Sequence, residues 1–387
     1  MMTHRFRTLV LSSLLASSLA ACGSEAVTPA DSGMNVTPDA NPPQDVEPPP
    51  EFNPWTPPPG ETGAMPAGTD GQWRFVRFPD SACGNGTPAG IGLNTQTGAQ
   101  DLVIFLMGGG GCWDGITCLG VGTAANLRVD YTDTVFRAEI GQVGGMYIFN
   151  RAAMDNPFRA ANFVYVPYCT GDIHGGNNVR DYTWGQESQR IYHVGAKNME
   201  AYLRRLVMTF PNARTVWLMG VSAGGYGAGV HWWRVQQAFP NATVHLLDDS
   251  GPPITPPAMR WSQLKAAWNI QFPPGCTGCA NDLNALIRHY IDTMGTRRMG
   301  LISYTQDRTI SGYFSITGAD FEMRLRGLQT SFGDRPNFRY YVRAGDNHVM
   351  LQGARPTGGI TAADGTVLFD WVRRWATDGA GWNNVAP

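Results

Sequence analysis

Thr215-Val216-Trp217-Leu218-Met219-Gly220-Val221-Ser222-Ala223-Gly224-Gly225, followed by an apolar stretch through Ala238, is the segment on which the reading of this chain turns. A β-branched and aromatic run ends in G-x-S-x-G and continues at helical spacing, so it reads as strand, tight turn, helix. A serine on such a turn sits in a strained conformation, and glycines flank it because side chains there would collide with neighbouring backbone. The turn presents the Ser222 hydroxyl at the carboxyl edge of a sheet. A Gly-rich turn that packs closely and does no chemistry has the same pattern, so the surrounding segments decide.

Outward from this turn, short runs rich in β-branched and aromatic residues alternate with longer amphipathic stretches. That alternation predicts an α/β fold with a mostly parallel central sheet and helices on both faces. Strands are expected at 73–78, 102–106, 163–167, 215–219, 243–247, 299–304 and 338–342. The clearest helix is expected at 187–210, where Ile191, Val194, Met199, Tyr202, Leu206 and Phe210 recur at helical spacing before Pro211 stops it. A last helix is expected at about 364–376, with Val367, Leu368, Trp371 and Trp375 on one side.

A nucleophilic serine needs donors for the oxyanion of a tetrahedral intermediate. In this architecture they are the amide after the nucleophile and one from an earlier Gly-rich loop. Strand 102–106 runs into Met107-Gly108-Gly109-Gly110-Gly111-Cys112-Trp113, where missing side chains let amides face a developing negative charge. A phosphate cradle is the competing reading, but neither a Lys-Ser/Thr pair nor G-x-G-x-x-G spacing accompanies the loop. The base should follow a later strand. His348 in Ala344-Gly345-Asp346-Asn347-His348 does so, whereas His193, His231 and His289 read as helical, His245 falls in a strand and His174 precedes the serine. For the acid, Asp307 follows the strand at 299–304 and is the expected residue; Asp248 and Asp249, at the end of the strand after the nucleophile helix, are the alternative.

Taken together, Gly108 to Trp113, Pro167-Tyr168-Cys169-Thr170-Gly171-Asp172, the serine turn, Asp248-Asp249-Ser250-Gly251, Tyr304-Thr305-Gln306-Asp307 and Asn347-His348 resemble the pectin acetylesterase and Notum family in content and order. The resemblance covers most of residues 72–376. It implies an α/β-hydrolase-like carboxylesterase that removes acyl groups, acetate from pectic polysaccharide or a fatty acyl group from a signalling protein. By position it makes Ser222 the nucleophile, Asp307 the acid, His348 the base, and Gly109, Gly110 and Ala223 the oxyanion donors. The chain departs from the family pattern at the glycine loop, with Gly110 or Gly111 in place of an aromatic, and at Val349, where a Cys commonly follows the histidine.

Six cysteines remain once Cys22 is set aside. Short spacing favours Cys112 with Cys118 and Cys276 with Cys279, leaving Cys83 with Cys169, and the first and last of these match the family pattern. A single C-x-x-C without a second pair at finger spacing argues against zinc, and neither metal nor cofactor is expected. Asp172, His174 and Trp184 lie in segments expected to face the substrate.

The chain has 387 residues, 43% of them hydrophobic and only 16% charged, with a formal net charge of −2. Lys197 and Lys265 are the only lysines and there is no basic block, so nucleic-acid binding and electrostatic attachment to an anionic membrane are not expected. His4, Arg5 and Arg7 precede an apolar run, 8–21, that is too short to span a bilayer. The run closes in Leu19-Ala20-Ala21-Cys22, which resembles a lipobox, so 1–22 is read as a lipoprotein signal with Cys22 as the acylated anchor; an ordinary cleaved secretion signal is the alternative. Twelve of the 27 prolines fall between residues 23 and 71, a composition that predicts a disordered, semi-stiff spacer. A single catalytic domain is expected over 72–387.

The expected protein is an exported monomer anchored in the cell envelope or at its surface. Its expected activity is that of a serine carboxylesterase deacetylating a pectin-type polysaccharide. A lipase or polyester depolymerase acting on longer acyl esters is the second reading, and a noncatalytic surface-binding protein on a hydrolase fold the third.

Overall fold

The structure, a computed structural model, describes residues 51–377 and 380–387. The signal at 1–22, Cys22 and the spacer as far as residue 50 lie outside the described residues. Among the described residues, ten strands alternate with eight α-helices: β1 (Trp73–Arg77), β2 (Gly90–Asn94), β3 (Asp101–Leu106), α1 (Asp133–Val143), β4 (Asn162–Val166), β5 (Asn178–Trp184), β6 (Glu187–His193), α2 (Gly195–Thr209), β7 (Thr215–Val221), α3 (Ala223–Ala238), β8 (Thr243–Asp249), α4 (Ala258–Trp268), α5 (Leu283–Thr293), β9 (Met299–Tyr304), α6 (Arg308–Phe314), α7 (Gly318–Phe332), β10 (Phe338–Arg343) and α8 (Leu368–Thr377).

Eight strands form one sheet in the order β1-β2-β4-β3-β7-β8-β9-β10. Pairing is antiparallel only at β1–β2 and β2–β4, and parallel from β4 to β10. The period-two side-chain alternation sorts the core into two layers. Leu102, Ile104, Leu106, Val216 and Leu218 face α2, α3, α5 and α7, while Val103, Phe105, Trp217, Met219 and Val221 face α1 and α8. Both faces are covered, which is why the parallel strands read as continuous apolar runs. Register then sets the edge that carries the site: Leu106 pairs with Gly220, Gly220 with Asp248 and Asp248 with Leu301, so β3, β7 and β8 end at one level and β9 runs on to Tyr304.

All seven expected strands are present, and three more are found. In β2, Gly90 and Gly92 interrupt the strand pattern; a Cβ on Gly92 would lie 2.3 Å from the Phe136 ring, so the glycine makes room for an aromatic. The helix expected over 187–210 begins only at Gly195. Residues 187–193 instead pair with 178–184 as a hairpin, with Asp181 opposite Arg190 and their side chains joined at 2.9 Å. Gly185, at φ 60°, makes the two-residue turn. The helical spacing of Ile191 and Val194 is a coincidence of a strand end meeting a helix start. The last helix starts at Leu368 rather than near 364.

Residues 53–65, expected from composition to belong to the spacer, pack against the domain. Asn53 exchanges hydrogen bonds with Asn178 and Val179, Trp55 meets Tyr192 edge-on, Glu61 pairs with Arg205, and Met65 is buried. Proline-rich chain needs no core of its own when a neighbouring body supplies one.

Candidate active site

Ser222 caps α3 with φ 57° and ψ −123°, a conformation that costs an L-residue of order 1–3 kcal/mol and persists only when its surroundings over-determine it. They do. A Cβ on Gly224 would lie 2.0 Å from the carbonyl oxygen of Leu106, so only glycine lets the elbow close against β3. The Ser222 amide donates to Asp249 O at 2.7 Å. The side chain stands at the N-terminus of a sixteen-residue helix, where the helix dipole favours negative charge.

Asp307 is fully buried and serves two partners at once. Its Oδ1 accepts from the amides of Thr309 and Ile310 at the start of α6, at 3.0 and 3.1 Å. Its Oδ2 accepts from His348 Nδ1 at 2.7 Å. That bond leaves Nε2 as the nitrogen able to take a proton. The alternative acid, Asp249, is engaged elsewhere. Its Oδ2 accepts from the Met350 and Leu351 amides, both at 2.7 Å, while Ser250 Oγ receives the Val349 amide at 3.1 Å. Burial pushes the Asp249 carboxyl up to about 6 against these amides and Ser250, which pull it down. Among the described residues no hydrogen bond runs from the Ser222 hydroxyl to His348. Asp249 ties the two loops together, through its carbonyl to the elbow and through its carboxylate to the histidine loop.

The glycine loop lies against the serine. A Cβ on Gly108 would meet Val221 O at 2.5 Å and Ser222 Cβ at 2.8 Å, so contact this close needs a residue without a side chain. The Gly109 carbonyl accepts from Ala125 and the Cys112 amide donates to Gly171, both bonds holding the loop from outside. The amides of Gly109, Gly110 and Ala223 take no acceptor among the described residues, which is the condition for an oxyanion donor in wait.

Of the residues expected to face substrate, two are buried supports. Asp172 accepts from Thr170 Oγ1 at 2.5 Å, the Gly176 amide at 3.1 Å and the Gly195 amide at 2.7 Å. His174 Nε2 donates to Met107 O at 2.8 Å, immediately before the glycine loop, and burial lowers its imidazole to about 4. Trp184 ends a strand of the hairpin and is exposed, against Gly120. The three cysteine pairs form as spacing suggested. Cys112, Cys118 and His193 approach within 4.8 Å of one another, but the sulfurs are bonded together and both His193 nitrogens are engaged, by Thr170 O and the Tyr182 hydroxyl.

Beside Ser222 opens a narrow pocket walled by apolar and aromatic side chains such as Trp113, Trp261, Trp268, Tyr313 and Phe314. Sequence reasoning missed these residues. One signal was readable: Trp261, Leu264 and Trp268 fall at helical spacing on α4, a face broad enough to wall a cavity.

A mostly parallel sheet covered by helices on both faces, with a strained serine between strand and helix at its carboxyl edge, defines an α/β-hydrolase-like protein. A family model described as pectinacetylesterase matches residues 72–265, half of the chain. The chain belongs to the pectinacetylesterase family. Curated relatives include the human palmitoleoyl-protein carboxylesterase NOTUM, 28% identical over 178 residues (44% of this chain, 34% of the relative), and that of Drosophila melanogaster, 27% identical over 214 residues (50% and 31%). The planarian Schmidtea mediterranea protein of the same name is 25% identical over 202 residues (49% and 36%). The chain thus spans about a third of the length of the curated relatives it matches. Asp307 and His348 lie beyond residues 72–265, so the family model does not reach them.

Proposed function

We propose that this protein is a serine carboxylesterase working through an acyl-enzyme. His348 Nε2 takes the Ser222 proton as Oγ attacks the ester carbonyl, and Asp307 holds the imidazole tautomer and stabilises its cation. The Gly109, Gly110 and Ala223 amides stabilise the oxyanion, each contributing about 2.7–4 kcal/mol if they act like measured donors. The protonated His348 hands its proton to the departing alkoxide, and water activated by the same nitrogen then releases the acid and restores Ser222. The observation that carries this reading is the Asp307–His348 pair, delivered to the same row of strand ends as a serine held strained beside a pocket.

The family's name supports deacetylation of a pectin-type polysaccharide. The pocket's apolar and aromatic walls support a longer acyl group. Three disulfides support a location outside the cytoplasm. A Cys22 anchor, a spacer and a catalytic domain that works as a monomer belong to the same proposal.

A fluorophosphonate probe is expected to label the folded protein, and the Ser222→Ala variant is not. Absence of labelling leaves the noncatalytic binding reading. Hydrolysis of p-nitrophenyl esters from acetate to palmitate, beside acetylated pectin and xylan, separates the two substrates. A maximum at acetate together with release from pectin selects the polysaccharide.

A further inference from the structure

Behind the pocket at Ser222 lies a second, much narrower apolar cavity, and the two share Ile173, Tyr226 and Leu283 in their walls. Ile173 packs against both the main core layer and the separate cluster around Trp261 and Trp268. Tyr226 lies one helical turn from the serine, its amide donating to Ser222 O at 3.2 Å, and its buried hydroxyl has no hydrogen-bond partner among the described residues. A buried hydroxyl left unpaired is costly, which marks this wall as a place where something other than stability sets the residue.

The backbone at Ile173 carries the stronger sign. Ile173 and His174 stand at φ 53° and 60°, a region a β-branched residue enters only when forced. The force is visible. The Ile173 amide donates to the Tyr168 hydroxyl at 2.8 Å, His231 Nε2 donates to His174 O at 2.7 Å, and the Gly175 amide donates to Asp172 O at 3.0 Å. With the three donors on the Asp172 carboxylate and the His174 bond to Met107, the whole turn is saturated by buried partners. A glycine at 173 would relieve the conformation; an isoleucine is held there with its side chain between two cavities.

We propose that Ile173, braced by the Asp172–His174 turn and facing Tyr226, is the residue that sets the limit on acyl-chain length, walling the pocket at Ser222 from the cavity behind it. This rests on the esterase reading above. The rear cavity is narrow but its lining, which includes Val230, Ile270, Phe272 and Leu286, is apolar, so space vacated at residue 173 would prolong the path of an acyl chain towards it. Asp248 also reaches that lining, and burial pushes its carboxyl well above the usual carboxylate range, against the Gly251 amide, which pulls it down.

The test measures kcat/KM over the p-nitrophenyl ester series for the parent, Ile173→Ala, Ile173→Gly and Tyr226→Leu. Removing either half of the wall is expected to raise the ratio of dodecanoate to butyrate by about 10-fold or more, the scale on which a hydrophobic pocket discriminates by a methylene or so. Ile173→Gly accepts the backbone conformation without penalty and keeps the test open should the alanine variant fail to fold. Variants that label with fluorophosphonate but keep the parent's profile overturn the inference and leave the esterase reading standing. A folded parent that does not label overturns both.

Discussion

Asp249 and Asp307 are two buried carboxylates at neighbouring strand ends, and what separates their roles is which partner each reaches. Asp307 meets an imidazole; Asp249 meets backbone amides. Asp307→Asn keeps an oxygen for the α6 amides but turns an amide towards His348 and favours the wrong tautomer. It is expected to lower kcat by about 10⁴-fold with a small change in melting temperature, read by ester hydrolysis beside thermal unfolding. Asp249 carries a folded-state pKa raised to about 6 from 3.8. Its contribution to stability is therefore fully present below about 3.8 and lost as pH rises through about 6. Asp249→Asn removes that dependence. Relative to the parent, the variant is expected to be most stable above pH 6.5 and to lose that advantage as pH falls towards 4, as urea denaturation at a series of pH values will show. A difference between the two proteins that does not vary with pH counts against a raised Asp249. Nothing in composition distinguishes the two aspartates; chain order points to Asp307, whose loop after the later strand reaches the imidazole, whereas the anchoring by Asp249 has no sequence signature.

At the scale of elements, the strands that carry the site were legible because burial on both faces writes them as unbroken apolar runs, and the serine elbow because its glycines are forced by contact with β3. The hairpin β5–β6 was not. Its exposed face is charged, and Ile191 lines up by chance with the apolar face of α2. Nor was the pocket, whose walls come from the glycine loop, α4 and α6, segments brought together only by folding. Helix α4 joins the edge that carries Ser222 through Trp268, which is buried and donates from Nε1 to Cys112 O at 2.7 Å. Trp268→Ala is expected to cost about 3–5 kcal/mol in chemical denaturation. It also frees the Cys112 carbonyl, so a fall in activity towards long esters larger than that towards acetate is expected in the same variant. Equal losses across the series place α4 outside the acyl path.

Across the whole molecule, the segment before the first strand belongs energetically to the folded body from about Asn53. Met65 is 4% exposed, and Arg205, whose side chain is likewise 4% exposed, takes Glu61 Oε2 at 2.7 Å and the Gly63 carbonyl at 3.1 Å. A chain starting at residue 72 loses these partners, and burial of one such methionine alone is worth about 1.5–3 kcal/mol. Its melting temperature is expected to fall by several degrees below that of a chain starting at residue 51. Equal melting temperatures show that the contacts are dispensable. Proline content alone assigned this stretch to the spacer, because composition registers what a segment can bury by itself and not what a neighbour offers it.

The bond between Cys112 and Cys118 closes the far end of the glycine loop, and the bond between Cys83 and Cys169 holds the segment leading to Asp172. Host compartment thus enters the chemistry of the site: in a glutathione-rich bacterial cytoplasm these thiols stay reduced, the amides proposed to take the oxyanion lose their tethers, and soluble material recovered there is expected to carry less esterase activity per milligram than periplasmic material with the identical chain.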